Sequence, residues 1–271
     1  MKERLDIILV DRRFVESRSK AQWLIKNGFV YVNSMKILKP GKRIDHLHEI
    51  KLKKNFPYVG RGGIKLEAAL KEFKIDVSNK ICVDIGASIG GFTDCLLKHG
   101  ATKVYAVDTA TDLLHPSLKC EKMIEKVIPL LGVDARKLKK LDEKVNLVTI
   151  DITFTSLRAI LPNVKNFLDL KGDVITLIKP IFETDFQEQE KFKIVQDRFE
   201  LKKILNNIIS WSKSYGLIPF GIMKSPLLGK GGSIEFFIHF KLDMNKPNYD
   251  YNYKEKIEYI LDKKKDKNLL L

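Results

Sequence analysis

From Ile81 to Phe240 short apolar runs alternate with amphipathic stretches. The runs predict strands at 81–85, 103–107, 125–129, 145–150, 173–178, 216–223 and 234–240. The stretches between them predict helices near 91–98, 111–119, 155–168 and 188–212. Such alternation argues for a mainly parallel sheet with helices on both faces. The last two runs have no helix between them, so they are expected to pair antiparallel. Upstream, Leu66, Ala69, Leu70 and Phe73 mark one more amphipathic helix. Residues 54–63 read as a polar, Pro- and Gly-containing connector. Residues 1–53 read as a separate small unit. There Leu5, Ile8 and Leu9 recur at helical spacing, and Ser17 is the expected cap of a helix from Arg18 to Asn27, closed by Gly28. Phe29 to Val32 alternates into a strand that Asn33-Ser34 turns, and Pro40-Gly41 turns the chain before Glu49 to Leu52. Residues 64–243 form the large domain. Residues 244–271 read as a charged tail, with Ile257, Ile260 and Leu261 spaced for a short helix.

Charge changes this picture. The 271 residues carry a formal net charge of +15. Residues 1–60 hold 14 Lys and Arg against 6 Asp and Glu, so more than half of the excess lies in under a quarter of the chain. That concentration points to a dedicated basic module for a polyanion, RNA above all. A solvated charged face is the plainer reading of the same residues. Three cysteines far apart suggest neither a disulfide framework nor a metal site, and fit a reducing compartment. His46 and His48 lack further ligand spacing. No apolar run reaches the roughly 18 residues of a membrane span, and no signal peptide is read at the start. A cytoplasmic protein, without membrane or metal and favoured to be a monomer, is the expectation.

The candidate chemistry centres on Val83-Asp84-Ile85-Gly86-Ala87-Ser88-Ile89-Gly90-Gly91-Phe92. A glycine turn after the first strand, with Asp108 ending the second, is how an α/β sheet holds a nucleoside-like cofactor at its carboxyl edge. The spacing is G-x-x-x-G-G rather than the pyrophosphate-binding G-x-G-x-x-G. That favours a cofactor without a diphosphate, and S-adenosylmethionine is the obvious one. Two further strands end on Asp151 and Lys179. Lys65 opens the helix after Arg61-Gly62-Gly63, and Glu235 opens the last strand. Singly such charges are mostly solvated. Together, two lysines and two carboxylates could orient a ribose 2′-hydroxyl, remove its proton and hold it in line with an electrophilic methyl, chemistry that needs no metal.

The chain resembles the TlyA family of ribosomal RNA 2′-O-methyltransferases, often called haemolysins. Arg4-Leu5-Asp6, Ser17 to Ala21, Leu24-Ile25, Gly28 to Asn33 and Lys39-Pro40 resemble an S4 RNA-binding domain. Tyr58 to Leu66, Gly86 to Asp94, Asp151 to Leu157, Ile178 to Glu183 and Ser225 to Phe236 resemble the family's FtsJ-like methyltransferase domain. The resemblance implies an α/β, Rossmann-like S-adenosylmethionine-dependent methyltransferase sheet behind a small α+β S4 domain. It implies Lys65, Asp151, Lys179 and Glu235 as the catalytic tetrad. It implies cofactor contacts at Asp84, Gly86, Ala87, Ser88, Gly90 and Phe92, with Asp108 toward the ribose and Asp134 toward the adenine. Arg4, Arg18, Lys20, Lys26, Lys39 and Arg61 are the candidate RNA contacts. The implied substrate is a cytidine 2′-hydroxyl of 16S or 23S rRNA, or both, reached on ribosomal subunits.

The sequence also departs from the family. Ile89 replaces the usual threonine, Thr109-Ala110-Thr111 follows Asp108 in place of Val-Gly, and Thr184 to Glu190 is acidic where the family has a glycine-rich loop. That loop motivates an alternative, a catalytically impaired RNA-binding ribosome-assembly factor. A membrane-active haemolysin rests on the family's other name alone.

Overall fold

The structure is a computed structural model that describes residues 2–15, 18–26, 28–52, 57–184, 195–242 and 252–262, the side chains of Ser19, Lys20 and Lys230 excepted. Ser17, Asn27, the acidic stretch from Asp185 to Glu190 and the side chain of Lys20 therefore lie outside the described residues. The chain divides into two compact units at Pro57 and Tyr58.

The first unit contains β1 (Lys2–Arg4), α1 (Leu5–Asp11), α2 (Arg18–Lys26), β2 (Val30–Val32), β3 (Met35–Lys36), β4 (Arg43–Asp45) and β5 (Ile50–Leu52). β1 pairs antiparallel with β4, and β2 lies between β3 and β5. Leu5, Ile8 and Leu9 of α1 and Ala21, Leu24 and Ile25 of α2 are fully buried in one cluster with Val30 and Val32. α2 stops where Gly28 turns left-handed and its N–H closes on the Ile25 carbonyl. Asn33 and Ser34 both have positive φ, the turn that matches the twist of a two-residue hairpin.

The second unit contains α3 (Arg61–Phe73), β6 (Ile81–Ile85), α4 (Gly91–Lys98), β7 (Lys103–Asp108), β8 (Val127–Leu131), β9 (Val145–Ile150), α5 (Leu161–Val164), β10 (Leu168–Ile178), α6 (Arg198–Ser214), β11 (Leu217–Lys224), β12 (Phe236–Leu242) and α7 (Tyr253–Asp262). One seven-stranded sheet runs in the order β11-β12-β10-β9-β6-β7-β8. β10, β9, β6, β7 and β8 are parallel, and β12 runs against both of its neighbours. Strand residues alternate between two cores. Val83, Val148 and Val174 face Leu205, Ile208 and Ile257 of α6 and α7, whereas Cys82, Leu147 and Ile175 face Leu66, Leu70 and Leu96 of α3 and α4.

Several elements differ from the expectations. No helix spans 111–119, where only a short turn at Pro116–Leu118 forms. Pro116 disfavours a helical conformation at His115, and Leu114 and Leu118 pack over Gly90 instead. The expected helix 155–168 shrinks to a turn at Leu157–Ala159 and the single turn of α5, because β10 already begins at Leu168. The third parallel strand is shifted to Val127–Leu131. Residues 188–194 of the expected helix 188–212 lie outside the described residues, and α6 runs from Arg198 behind the cap Asp197, whose carboxylate accepts the Glu200 N–H. α3 starts at Arg61, so the end of the expected connector is helix, and the preceding Tyr58 is buried in the second unit. α7 buries Ile257 and Ile260 against α6 and β11, so residues expected to form a tail complete a core.

Candidate active site

Parallel strands deliver their carboxyl ends to one edge, and that edge is where loops and ligands meet. Asp151 follows β9 and Lys179 follows β10. β12 runs the other way, so its start, not its end, lies at this edge. The register pairs Ile178 with Phe236 and thereby sets Glu235 beside Lys179. Lys65 comes from the second turn of α3, whose first turn meets that of α4 backbone to backbone. A Cβ on Gly91 would lie 3.2 Å from the Gly63 nitrogen.

These four residues line one cavity of about 660 Å³. They form two ion pairs. Lys65 Nζ donates to Glu235 Oε2 at 2.5 Å, and both side chains are about 95% buried, exposing 5% and 4%. Lys179 Nζ lies 2.5 Å from Asp151 Oδ1, with 13% and 22% exposed. The second pair is close without being aligned: Asp151 Oδ1 is enclosed yet accepts no hydrogen bond among the described residues. What Asp151 exposes is therefore side-chain surface other than Oδ1. Gly229 shapes the first pair, because any side chain there would collide with the Glu235 carboxylate.

The glycine loop floors the cavity. Gly86, Ala87, Ser88 and Phe92 line it, together with Ile89, Gly91 and Arg61. Gly86 and Gly90 are left-handed, as is Ser88. A Cβ on Gly86 would lie 2.3 Å from the Asp151 carbonyl oxygen, so this backbone approach excludes any other residue. Gly90 is not a lining residue and packs under Leu114 and Leu118. Ile89 lies against Gly60, an apolar contact where the family carries a hydroxyl.

Three acids expected at the cofactor do not line this cavity. Asp84 is fully buried beneath the loop and accepts the hydroxyls of Thr93 at 2.7 Å and Thr149 at 3.1 Å. Burial pushes its carboxyl up to about 7 against those two donors. Asp108 accepts the Ser88 N–H at 2.7 Å and the Ala110 N–H at 2.8 Å, so it ties the loop to β7. Asp134 is held by Arg136 through its side chain and its N–H, which lower its carboxyl to about 2. None of the three lines the cavity.

The expected RNA contacts also sort by structure. Arg4 and Arg18 converge on Asp6, which is fully buried and also accepts from Gln22 at 2.7 Å. These donors hold the Asp6 carboxyl well below the usual range. The two arginines thus neutralise an acid as well as meeting solvent. Lys26, Lys39 and Arg61 are exposed.

Among the cavity residues outside the expected site set are two aromatics. Phe154 is 78% exposed with φ +64°, and its ring lies 5.6 Å from that of Phe182. Both were visible only as members of longer motifs; a large apolar residue three places after a strand-end acid is the signal that could have singled out Phe154. No group of three His, Cys, Asp or Glu that could hold a metal occurs among the described residues, and no described helix is long and apolar enough to cross a membrane.

The comparisons agree on one kind of protein. Residues 58–242 match the model of the FtsJ-like methyltransferase family and residues 3–50 that of the S4 domain. A Bacillus subtilis protein named "Putative rRNA methyltransferase YqxC" is 41% identical, over 88% of this chain and 85% of its own length. A Mycobacterium tuberculosis protein named 16S/23S rRNA (cytidine-2′-O)-methyltransferase TlyA is 30% identical over 90% and 91%. A solved structure named "Putative hemolysin from Streptococcus thermophilus" superposes with a TM-score of 0.73 at 34% identity, covering 96% of this chain and 94% of that one.

Proposed function

The chain belongs to the FtsJ-like methyltransferase family, in its TlyA branch with an S4 domain ahead of the methyltransferase domain, and from that premise we propose that it methylates a ribose 2′-hydroxyl of ribosomal RNA. The methyl donor is S-adenosylmethionine, and the nucleotide is a cytidine, as the name of the mycobacterial relative states for that protein. The observation that carries this reading is the meeting of Lys65, Asp151, Lys179 and Glu235 around one cavity floored by a glycine loop.

The cavity suits such a donor. Its volume lies in the range of small-molecule sites, and the left-handed Gly86, with Gly91 beyond it, brings backbone rather than side chains to its floor. Once bound, S-adenosylmethionine supplies an electrophilic methyl on a positively charged sulfur. Everything else falls to the chain. The buried Lys65–Glu235 pair is a fixed wall whose charges cancel at short range, which a dry site requires. The Lys179–Asp151 pair is the more open of the two and meets the hydroxyl. The Asp151 carboxylate accepts the hydroxyl hydrogen and aims the oxygen lone pair, and the Lys179 ammonium steadies the negative charge that develops as the proton leaves. Orientation of this kind accounts for much of the rate gain in a reaction without a covalent intermediate. Phe154, with Phe182 behind it, gives an unstacked base a face to rest on at the rim, and Arg61 faces the phosphates around it.

Labelled methyl from S-adenosylmethionine is expected to appear on rRNA or ribosomal particles and to map to ribose. Lys179→Ala and Asp151→Ala are each expected to lower that transfer by a factor on the order of 100 or more while RNA binding persists. Undiminished turnover in both variants would refute the assignment of the site.

A further inference from the structure

Two loops leave the carboxyl edge side by side, 151–157 after β9 and 179–183 after β10. Their first residues form the Asp151–Lys179 pair. Their far ends are joined as well. Glu183, only 5% exposed, accepts the Ser156 hydroxyl at 2.5 Å and the Leu157 N–H at 2.7 Å. Between these two fastenings the rings of Phe154 and Phe182 touch. The β10 loop is internally braced, since the Phe182 N–H donates to the Lys179 carbonyl and the Glu183 N–H to the Pro180 carbonyl. Ile181 and Phe182 line the cavity, and Glu183 does not.

Two features of the β9 loop require an outside constraint. The Asp151–Lys179 contact is a close ion pair without hydrogen-bond alignment, so charge attraction holds it without setting the direction of the carboxyl group. Phe154 has φ +64°, which a phenylalanine keeps only where its surroundings impose it. A buried carboxylate that holds a hydroxyl and an amide of that loop is such a constraint, because abandoning it leaves two donors unpaired.

We propose that Glu183 is a positioning residue: it fastens Ser156 and Leu157 to the β10 loop and so sets how Asp151 meets Lys179 and how Phe154 stands over the cavity. This rests on the methyl-transfer reading of the site. Glu183→Ala removes both acceptors. Glu183→Gln keeps the latch, since its amide oxygen accepts the Leu157 N–H and its amide nitrogen donates to the Ser156 oxygen. Ser156→Ala takes away only one of the two bonds.

The test uses the full chain and three readouts: kcat and KM for methyl transfer to rRNA, S-adenosylmethionine affinity by calorimetry, and hydrogen exchange across 152–160. In Glu183→Ala, kcat is expected to fall by about ten- to a hundred-fold, with cofactor affinity nearly unchanged and exchange at 152–160 accelerated. Glu183→Gln restores most of kcat, and Ser156→Ala lies between. Wild-type kcat in Glu183→Ala, or equal losses in the Ala and Gln variants, overturns the proposal. Should Glu183→Ala fail to fold, Ser156→Ala decides, and wild-type kcat and exchange there overturn it. A wild-type protein that transfers no methyl sinks the reading of the site instead, and the exchange arm then judges the latch by itself: unchanged protection at 152–160 without Glu183 refutes it.

Discussion

Asp84 and Asp6 are both buried acids, and they titrate in opposite directions. Asp6 has three charged or polar donors around it, so its folded form favours the anion. Its contribution is present above the ordinary carboxylate range and fades as pH falls. Asp84 has two hydroxyls and no cation, and desolvation raises it from an ordinary 3.8 to about 7. Folding therefore takes up a proton between about pH 4 and 7, and this group makes the protein less stable as pH rises through that window, by up to about 1.4 kcal/mol per unit. Asp84→Asn, which cannot titrate, is expected to remove that slope. Urea unfolding of both proteins at pH 5 and pH 7.5 checks it, and equal differences at the two pH values would count against the assignment. The strand-loop motif marks Asp84 as a residue of the glycine turn, and the structure gives it two hydroxyl donors. Its partners Thr93 and Thr149 are 9 and 65 residues away, and only folding brings the second of them near.

The elements were legible where the signal was local. Six of the seven strands and α4 lie within two residues of the runs that predict them, because alternation records which face a residue buries. The missing helix at 111–119 had apolar residues at suitable positions, but Leu114 and Leu118 cover a glycine loop rather than a helix seam. Glycines carry the same distinction. Gly86 and Gly216 both have positive φ, yet a Cβ at Gly86 meets the Asp151 backbone whereas one at Gly216 meets nothing within 4 Å. Gly216→Ala is expected to cost about 1–2 kcal/mol, the backbone term alone. Gly86→Ala adds a collision with backbone that has no room to yield, so a loss beyond about 3 kcal/mol is expected, with methyl transfer abolished. Chemical denaturation of the two variants side by side measures the difference; equal losses would show that the approach of Asp151 is unimportant.

Across the whole molecule, charge and chemistry divide between the two units. The first 60 residues hold more than half of the net +15, and the second unit holds the cavity. Phosphate contacts release counterions, so RNA affinity is expected to fall steeply and log-linearly with salt, while S-adenosylmethionine affinity changes little. Filter binding and calorimetry between 50 and 300 mM salt, a window on the order of that used for such slopes, test this, and parallel losses would contradict the division. The sequence by itself determined the strand and helix periodicity, the glycine turn, the basic first unit and the residue types at the strand ends, because burial, turn conformation and composition are local properties. Tertiary structure alone decided which charges meet. Lys65 and Glu235 are 170 positions apart and touch only because β12 is reversed in the sheet. It likewise decided that Asp108 and Asp134 hold neighbouring donors and that Arg4 and Arg18 gather on Asp6. A carboxylate takes whichever donor the packed chain brings within hydrogen-bonding distance, and no spacing along the sequence encodes that distance.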